Sequence, residues 1–296
     1  MLFRSTLRLD GTGVQTLGGS GSIVASNTTT GLGYSPYGRE TLTAGSGASL
    51  HIGPNVQVSR NGGNVLDILN LSSNEGVLSI AASQGTLNVS GSNWTNTGTL
   101  RATSGTLNIN SSIGSNWSNS GTGLIDAAGG RVVLGGTWTN AGATPGTLSA
   151  NTSTIAFASP VPLSNLGTYT HGSTGNFEVA NGGNLDLGAA SLDVAGLGSL
   201  TLSNGGVVRN GTLFSSNAST GQLNIASSGT STLDQVTLGG GLNVNLRYRS
   251  TLVATGGLNL AGATVNFNPS IYDYDTTLDR KSTRLNSSHL VISYAV

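Results

Sequence analysis

NWTNTGTL, residues 93–100, decides the fold, because it returns as NWSNSGTG (116–123) and TWTNAGAT (137–144). Each copy places an asparagine two residues after a tryptophan and a glycine two residues after that asparagine. The motif contains every tryptophan of the chain, Trp94, Trp117 and Trp138. A rare, bulky residue that recurs at one point of a spaced motif indicates a structural unit of fixed length.

The spacing of the motif gives the length of that unit. Leucine replaces tryptophan in LSNLGTY (163–169), and LSSNEGVL (71–78) is a looser copy. The motif asparagines are separated by 22, 23, 21 and 25 residues and are Asn74, Asn96, Asn119, Asn140 and Asn165. A repeat of about 22–23 residues indicates an array in which each unit buries its apolar face against its neighbours.

Short alternating segments fill the sequence between the motifs. TLNVS (86–90), TLNIN (106–110) and SLTLS (199–203) place apolar residues on one face and polar residues on the other, which is the period of a β-strand. Strands this short do not form a stable hairpin sheet alone, whereas stacking pairs each strand with its counterpart one coil away. A β-sandwich needs hairpin turns every ~8–12 residues but not this longer repeat.

The predicted fold is all-β, a parallel β-solenoid (right-handed β-helix) over residues 11–278 with roughly twelve coils. In this fold, equivalent residues of successive coils lie on top of one another. We expect stacked indoles of Trp94, Trp117 and Trp138, hydrogen-bonded amides of Asn96, Asn119, Asn140 and Asn165, and corner glycines Gly98, Gly121, Gly142 and Gly167. The alternative is an exposed tryptophan row that binds sugars. Packing is favoured, because leucine takes the tryptophan position in two copies.

These motifs resemble the β-helical repeats of bacterial surface proteins, namely filamentous-haemagglutinin-like adhesins and autotransporter passengers. LTAGSGASLHIGPNVQVS (42–59) and STLDQVTLGGGLNVN (231–245) carry the resemblance together with the asparagine–glycine corners. The resemblance implies a secreted or cell-surface, outer-membrane-associated location and a structural or adhesive role. The partners it implies are host or environmental glycans, or other cell-surface molecules.

The last eighteen residues, DRKSTRLNSSHLVISYAV (279–296), differ in composition from the rest and hold the single lysine, Lys281. Back-translation gives a string that resembles the adapter ligated to DNA in short-read sequencing libraries. We therefore expect residues 279–296 to be non-native and the coil register to stop near residue 278. Residues 1–10 contain no apolar signal-peptide segment, and we expect a fragment truncated at both ends.

Composition argues against several function classes. The first 278 residues contain nine arginines and eleven carboxylates, a formal net charge of −2, so no basic surplus indicates nucleic-acid binding. The chain has no cysteine, which argues against a disulfide framework or a thiolate metal site. No apolar run reaches the length of a membrane span.

The sequence predicts no catalytic, cofactor-binding or metal-ligating residue, because titratable groups are sparse and scattered. His51 and His171 lie far apart, and the carboxylates of Tyr272–Asp275 are interpreted as a solvated strand more readily than as a Ca²⁺ or acid–base site. Arg247, Tyr248 and Arg249 form a candidate ligand surface for acidic sugars. The predicted function is a non-enzymatic structural or adhesive solenoid; the alternative is a polysaccharide-binding or pectate-lyase-like polysaccharide-cleaving β-helix.

Overall fold

The computed structural model describes residues 4–26, 38–110, 115–267, 277–280 and 292–293. The chain divides into two compact units, unit 1 (residues 1–155 and 165–170) and unit 2 (residues 156–164 and 171–296). The predicted fold class is confirmed, since the chain is an all-β parallel β-solenoid, with about ten coils where roughly twelve were expected.

The strands that begin before residue 150 are β1 (Arg4–Leu9), β2 (Gly13–Leu17), β3 (Gly21–Ala25), β4 (Arg39–Ala44), β5 (Ala48–Ile52), β6 (Val56–Arg60), β7 (Val65–Asn74), β8 (Val77–Ile80), β9 (Thr86–Asn96), β10 (Thr99–Ala102), β11 (Thr106–Ile109), β12 (Asn116–Asn119), β13 (Leu124–Ala127), β14 (Arg131–Leu134), β15 (Thr137–Thr139) and β16 (Thr147–Ala150). The later strands are β17 (Thr154–Phe157), β18 (Pro160–Pro162), β19 (Thr168–His171), β20 (Asn176–Val179), β21 (Asn184–Asp186), β22 (Ser191–Asp193), β23 (Leu200–Leu202), β24 (Val207–Phe214), β25 (Gln222–Ile225), β26 (Thr230–Gly239), β27 (Asn243–Leu246), β28 (Thr251–Ala261), β29 (Thr264–Phe267), β30 (Thr277–Arg280) and β31 (Ile292–Ser293). Two short 3₁₀ helices, Leu163–Asn165 and Val194–Leu197, complete the described secondary structure.

Unit 1 is a stack of coils with three strands each. In one coil β11, β12 and β13 follow one another, and each pairs in parallel with its counterparts one coil before and one coil after. Leu107 of β11 lies between Leu87 and Val132, and all three side chains are fully buried. Burial of each such side chain stabilises the fold by about 1.5–3 kcal/mol, so the alternating pattern alone fixes which face points inward.

Unit 2 stacks in the same way. Leu223 of β25 lies between Leu200 and Val244 inside the unit. The long strands β24, β26 and β28 pair in parallel along the other side of these coils. The inner surface is again a column of apolar side chains, and the outer surface is left to amides and hydroxyls.

Strand pairing also includes residues near both ends of the sequence. β1, at Arg4–Leu9, already pairs with β4 in the first coil of unit 1. At the other end β30 pairs with β28, and β31 pairs with β29. These two pairings include residues on both sides of residue 278, and the expected end of the coil register near that residue stays a prediction. The adapter interpretation of residues 279–296 stays a prediction.

Candidate functional site

The three tryptophans of unit 1 form one buried column. The ring centroids of Trp94 and Trp117 lie 5.4 Å apart at an interplanar angle of 15°, and those of Trp117 and Trp138 lie 5.8 Å apart at 25°. The Nε1 of Trp94 donates to Asn110 Oδ1 (3.2 Å), and that of Trp117 donates to Gly135 O (2.9 Å). Because the three residues are at most 4% exposed, the indoles offer sugars no platform and serve packing.

A second column inside unit 1 is a ladder of amides. Each Nδ2 donates to the Oδ1 of the next coil at 2.7–2.8 Å, in the order Asn74, Asn96, Asn119, Asn140. All four asparagines are fully buried. Buried amides need partners of this kind, because an unsatisfied one costs about 1–3 kcal/mol.

The ladder ends at Asn140, and Asn165 is not its next rung. Asn140 Nδ2 donates instead to the backbone carbonyls of Leu166 (2.7 Å) and Thr168 (2.9 Å). Asn165 Nδ2 donates to Trp138 O (2.9 Å). The prediction of an amide–amide contact at Asn165 is therefore wrong, because the 3₁₀ helix at Leu163–Asn165 changes the path of the backbone at this corner.

Glycine is required at the motif positions for two different physical reasons, a positive φ angle and a close approach of two backbones. Gly121 and Gly167 have φ angles of 60° and 57°, and Gly142 has a φ of 139°, values that side chains rarely adopt. Gly98 is a close approach of two backbones, because a Cβ there would lie 2.2 Å from Gly76 O.

The Arg247–Arg249 turn is the ligand surface that the sequence singled out, and it directly follows β27 in unit 2. Arg247 is exposed and Tyr248 is half-buried. The guanidinium of Arg249 lies 5.1 Å from the centre of the Tyr248 ring, a cation–π contact. Arg249 lies against its own neighbour and is exposed like Arg247, so both charges of the turn are accessible.

Besides the exposed local pair Arg8–Asp10, four carboxylates engage arginines that are distant in sequence. The pairs are Arg39 with Asp67, Arg60 with Glu40, Arg101 with Asp126, and Arg209 with Asp186. The hydrogen bond to Asp67 raises the pKa of Arg39 above its ordinary value. Arg60 is fully buried, so its Nη1 bond to Glu40 (2.9 Å) stabilises a charge that would otherwise be costly to bury.

Asp186 is the most extensively bonded carboxylate of unit 2. The hydrogen bond from Asn210 Nδ2 (3.0 Å) contributes most to lowering its pKa, against the opposing effect of burial. The Gly188 N–H and Arg209 lower the pKa further. Asp186 therefore acts as a fixed anion between coils, and not as a group poised to exchange protons near neutral pH.

Asp193 caps the short 3₁₀ helix Val194–Leu197. Burial raises its pKa, but hydrogen bonds from the hydroxyl (2.5 Å) and N–H (3.0 Å) of Ser216 and from Ala195 N–H leave the pKa lowered. Its oxygens satisfy backbone and hydroxyl donors of neighbouring coils, which is a structural role.

No group of three or more His, Asp or Glu side chains that could hold a metal ion occurs among the described residues. In the same part of the chain, no helix has the length and apolar character to cross a membrane. His51 Nδ1 lies 2.5 Å from Ser73 Oγ. His51 and His171 are far apart in the sequence. Tyr272–Asp275, the other acidic candidate, lies outside the described residues.

The structure adds a site that sequence reasoning missed, a groove of about 280 Å³ in unit 2. Its polar lining includes His171, Thr174, Ser199, Thr220, Gln222 and Asn224, and contains no carboxylate, lysine or arginine. Asn224, the outward asparagine of QLNIA, was visible as a polar position. Its meeting with the 171–175 turn was not, because that turn lies about fifty residues earlier.

No family model, no curated protein and no solved structure matches this chain. Its function is therefore argued from the fold, the ladders and the groove of unit 2.

Proposed function

We propose that this chain is a non-enzymatic, structural and adhesive β-solenoid segment of an exported protein displayed at a bacterial surface. The observation that carries the proposal is that the inner and outer faces of the coils have different roles. Inside unit 1, indoles stack on the equivalent indoles of neighbouring coils, and amides bond to the equivalent amides. Outside, unit 2 presents neutral amides and hydroxyls, which match the hydroxyl-rich surface of a glycan.

The non-catalytic part of the proposal rests on how the described carboxylates are engaged. Cleavage of a polysaccharide needs convergent titratable groups, either a carboxylate pair or carboxylates with a metal ion. Asp67, Asp126 and Asp186 each bond to an arginine of an adjacent coil. A carboxylate held in this way is poorly placed to transfer a proton to a substrate.

The extracellular part of the proposal rests on composition and on the resemblance of the corners to those of secreted adhesins. Only 8% of the residues are charged, about a third of the usual fraction. The polar surface is built from serine, threonine and asparagine. Such a surface binds through hydrogen bonds in preference to ionic contacts, so adhesion should persist at high salt.

Retention on insoluble polysaccharides tests the proposal. We expect the purified chain to be depleted from solution by cellulose, chitin or mannan at both low and high salt, while the urea-unfolded chain is not. Absence of retention on all three would overturn the adhesive role and leave a purely structural one. Release of unsaturated or reducing ends from polygalacturonate would overturn the non-enzymatic assignment and favour the pectate-lyase-like alternative.

A further inference from the structure

An amide ladder on the outer surface of unit 2 has a direction. Asn266 Nδ2 donates to Asn245 Oδ1 (3.1 Å). Asn245 Nδ2 then donates to two acceptors of the preceding coil, Asn224 Oδ1 (3.2 Å) and Gln222 Oε1 (3.0 Å). Since the oxygens of Asn224 and Gln222 are turned to Asn245, the amino group of each planar amide is turned away from that bond.

The ladder stops at this coil. The residue in register with Asn224 in the preceding coil is Thr201, whose Oγ1 accepts from Asn176 (3.3 Å). Asn224 is only 8% exposed, yet its Nδ2 makes no hydrogen bond to the part of the chain that the structure describes. Because Asn224 lines the groove, this donor is open to solvent and to a ligand, which would replace water as its hydrogen-bond acceptor.

In unit 1 the equivalent ladder of amides ends at a carboxylate. There Asn108 Nδ2 donates to Asn88 Oδ1 (2.9 Å), and Asn88 Nδ2 donates to Asp67 Oδ1 (2.9 Å). The last donor thus meets a carboxylate that Arg39 also holds. In unit 2 the corresponding end opens into the groove.

Gln222 and Asn224, the last amides of the ladder, line the groove and are accessible from it. Gly198 forms part of its wall, and a Cβ at this position would lie 2.8 Å from His171 Nδ1. His171 Nδ1 lies 3.0 Å from Gly172 O; a carbonyl oxygen only accepts, so Nδ1 donates there and Nε2 is the ring nitrogen left for a ligand. The hydroxyls of Ser199 and Thr220 on the same wall can donate or accept.

We propose that this groove binds a neutral oligosaccharide, whose oxygens accept hydrogen bonds from the amino groups of Asn224 and Gln222. The inference rests on the proposed adhesive function and names its site and ligand class. Sugar hydroxyls donate and accept at once, which suits a lining that mixes amide donors, hydroxyls and an imidazole acceptor. The volume of about 280 Å³ lies at the small end of ligand sites and fits a short segment of a longer chain. No charged side chain lines the groove, so a neutral sugar is favoured over an acidic one.

Calorimetric titration of the full chain with cellopentaose, chitopentaose, mannopentaose and pentagalacturonate tests the site. Asn224→Asp and Gln222→Glu keep the oxygen that accepts from Asn245 but replace the donor by an acceptor. We expect either variant to weaken binding of the neutral sugar at least about tenfold. Asn259→Asp is the matched control, because Asn259 is exposed on β28 of the same unit and the substitution adds the same charge.

The possible outcomes test the sugar-binding groove and the adhesive function separately. Binding of a neutral oligosaccharide that is equally strong in Asn224→Asp, Gln222→Glu and Asn259→Asp overturns the groove but leaves the adhesive role. Binding of pentagalacturonate alone overturns the neutral ligand class. No binding of any of the four sugars overturns the groove, and retention on polysaccharides then decides the adhesive role separately. If an acidic variant fails to fold in a thermal melt, Ser199→Ala and Thr220→Ala take its place, with a weaker loss expected.

Discussion

Replacement of Asn119 by alanine removes the central rung of the buried amide ladder and should destabilise unit 1 strongly. Asn119 Nδ2 donates to Asn140 Oδ1 (2.7 Å) and Gly123 O (3.1 Å), and its Oδ1 accepts from Asn96 Nδ2 (2.7 Å). The side chain is fully buried. No water can therefore replace these bonds without a rearrangement of the corner.

The magnitude follows from those three bonds. Each contributes about 1 kcal/mol net to the free energy of unfolding, and the orphaned Oδ1 of Asn140 adds about 1–3 kcal/mol. We expect Asn119→Ala to lower the free energy of unfolding by about 4–6 kcal/mol. Asn116→Ala, in the same strand but exposed with one bond of 3.3 Å to Asn93, should cost no more than about 0.5 kcal/mol.

Urea unfolding followed by tryptophan fluorescence measures both variants, because all three tryptophans lie in the coils that the ladder joins. The slope of the transition should stay constant, so that a shifted midpoint reports stability. A difference below about 1 kcal/mol between Asn119→Ala and Asn116→Ala would refute the stabilising role of the ladder. The double variant Asn119→Ala/Asn140→Ala should lose less than the sum of the single losses, since both partners of one bond are then absent.

The other predictions concern the indole column, a corner glycine and a carboxylate. Trp117→Ala should cost about 3–5 kcal/mol and reduce the near-ultraviolet circular dichroism, and Trp117→Leu should cost less. Gly98→Ala should lower the Tm because its Cβ would meet a carbonyl at 2.2 Å, whereas Gly21→Ala, with no atom within 4 Å, should not. The hydrogen bond from Asn210 lowers the folded pKa of Asp186 below the unfolded value of 3.8, so its contribution is complete above about pH 3.8 and is lost as pH falls through the folded pKa. Asp186→Asn should therefore flatten the acid limb of Tm against pH; an unchanged limb would contradict this assignment.

The repeat could be read from the sequence because it is local information copied at a fixed spacing. Alternation sets which side chains point inward, and the tryptophan–asparagine–glycine spacing sets which of them meet in neighbouring coils. The stacking of Trp94, Trp117 and Trp138 needs nothing more than this register. Asn165 departs from its expected place because the corner before it contains a 3₁₀ helix, which the motif spacing does not reveal.

The sequence by itself determined the all-β coil, its inward face and its repeat length, since these follow from periods of 2 and about 22 residues. The tertiary structure alone decided where an amide ladder is closed and where it is left open. Asn88 meets Asp67 in one unit, while Asn224 faces a threonine and a groove in the other. That difference depends on corner lengths and on the 171–175 turn, which bring residues from distant parts of the chain to the same rung, and no local pattern encodes it.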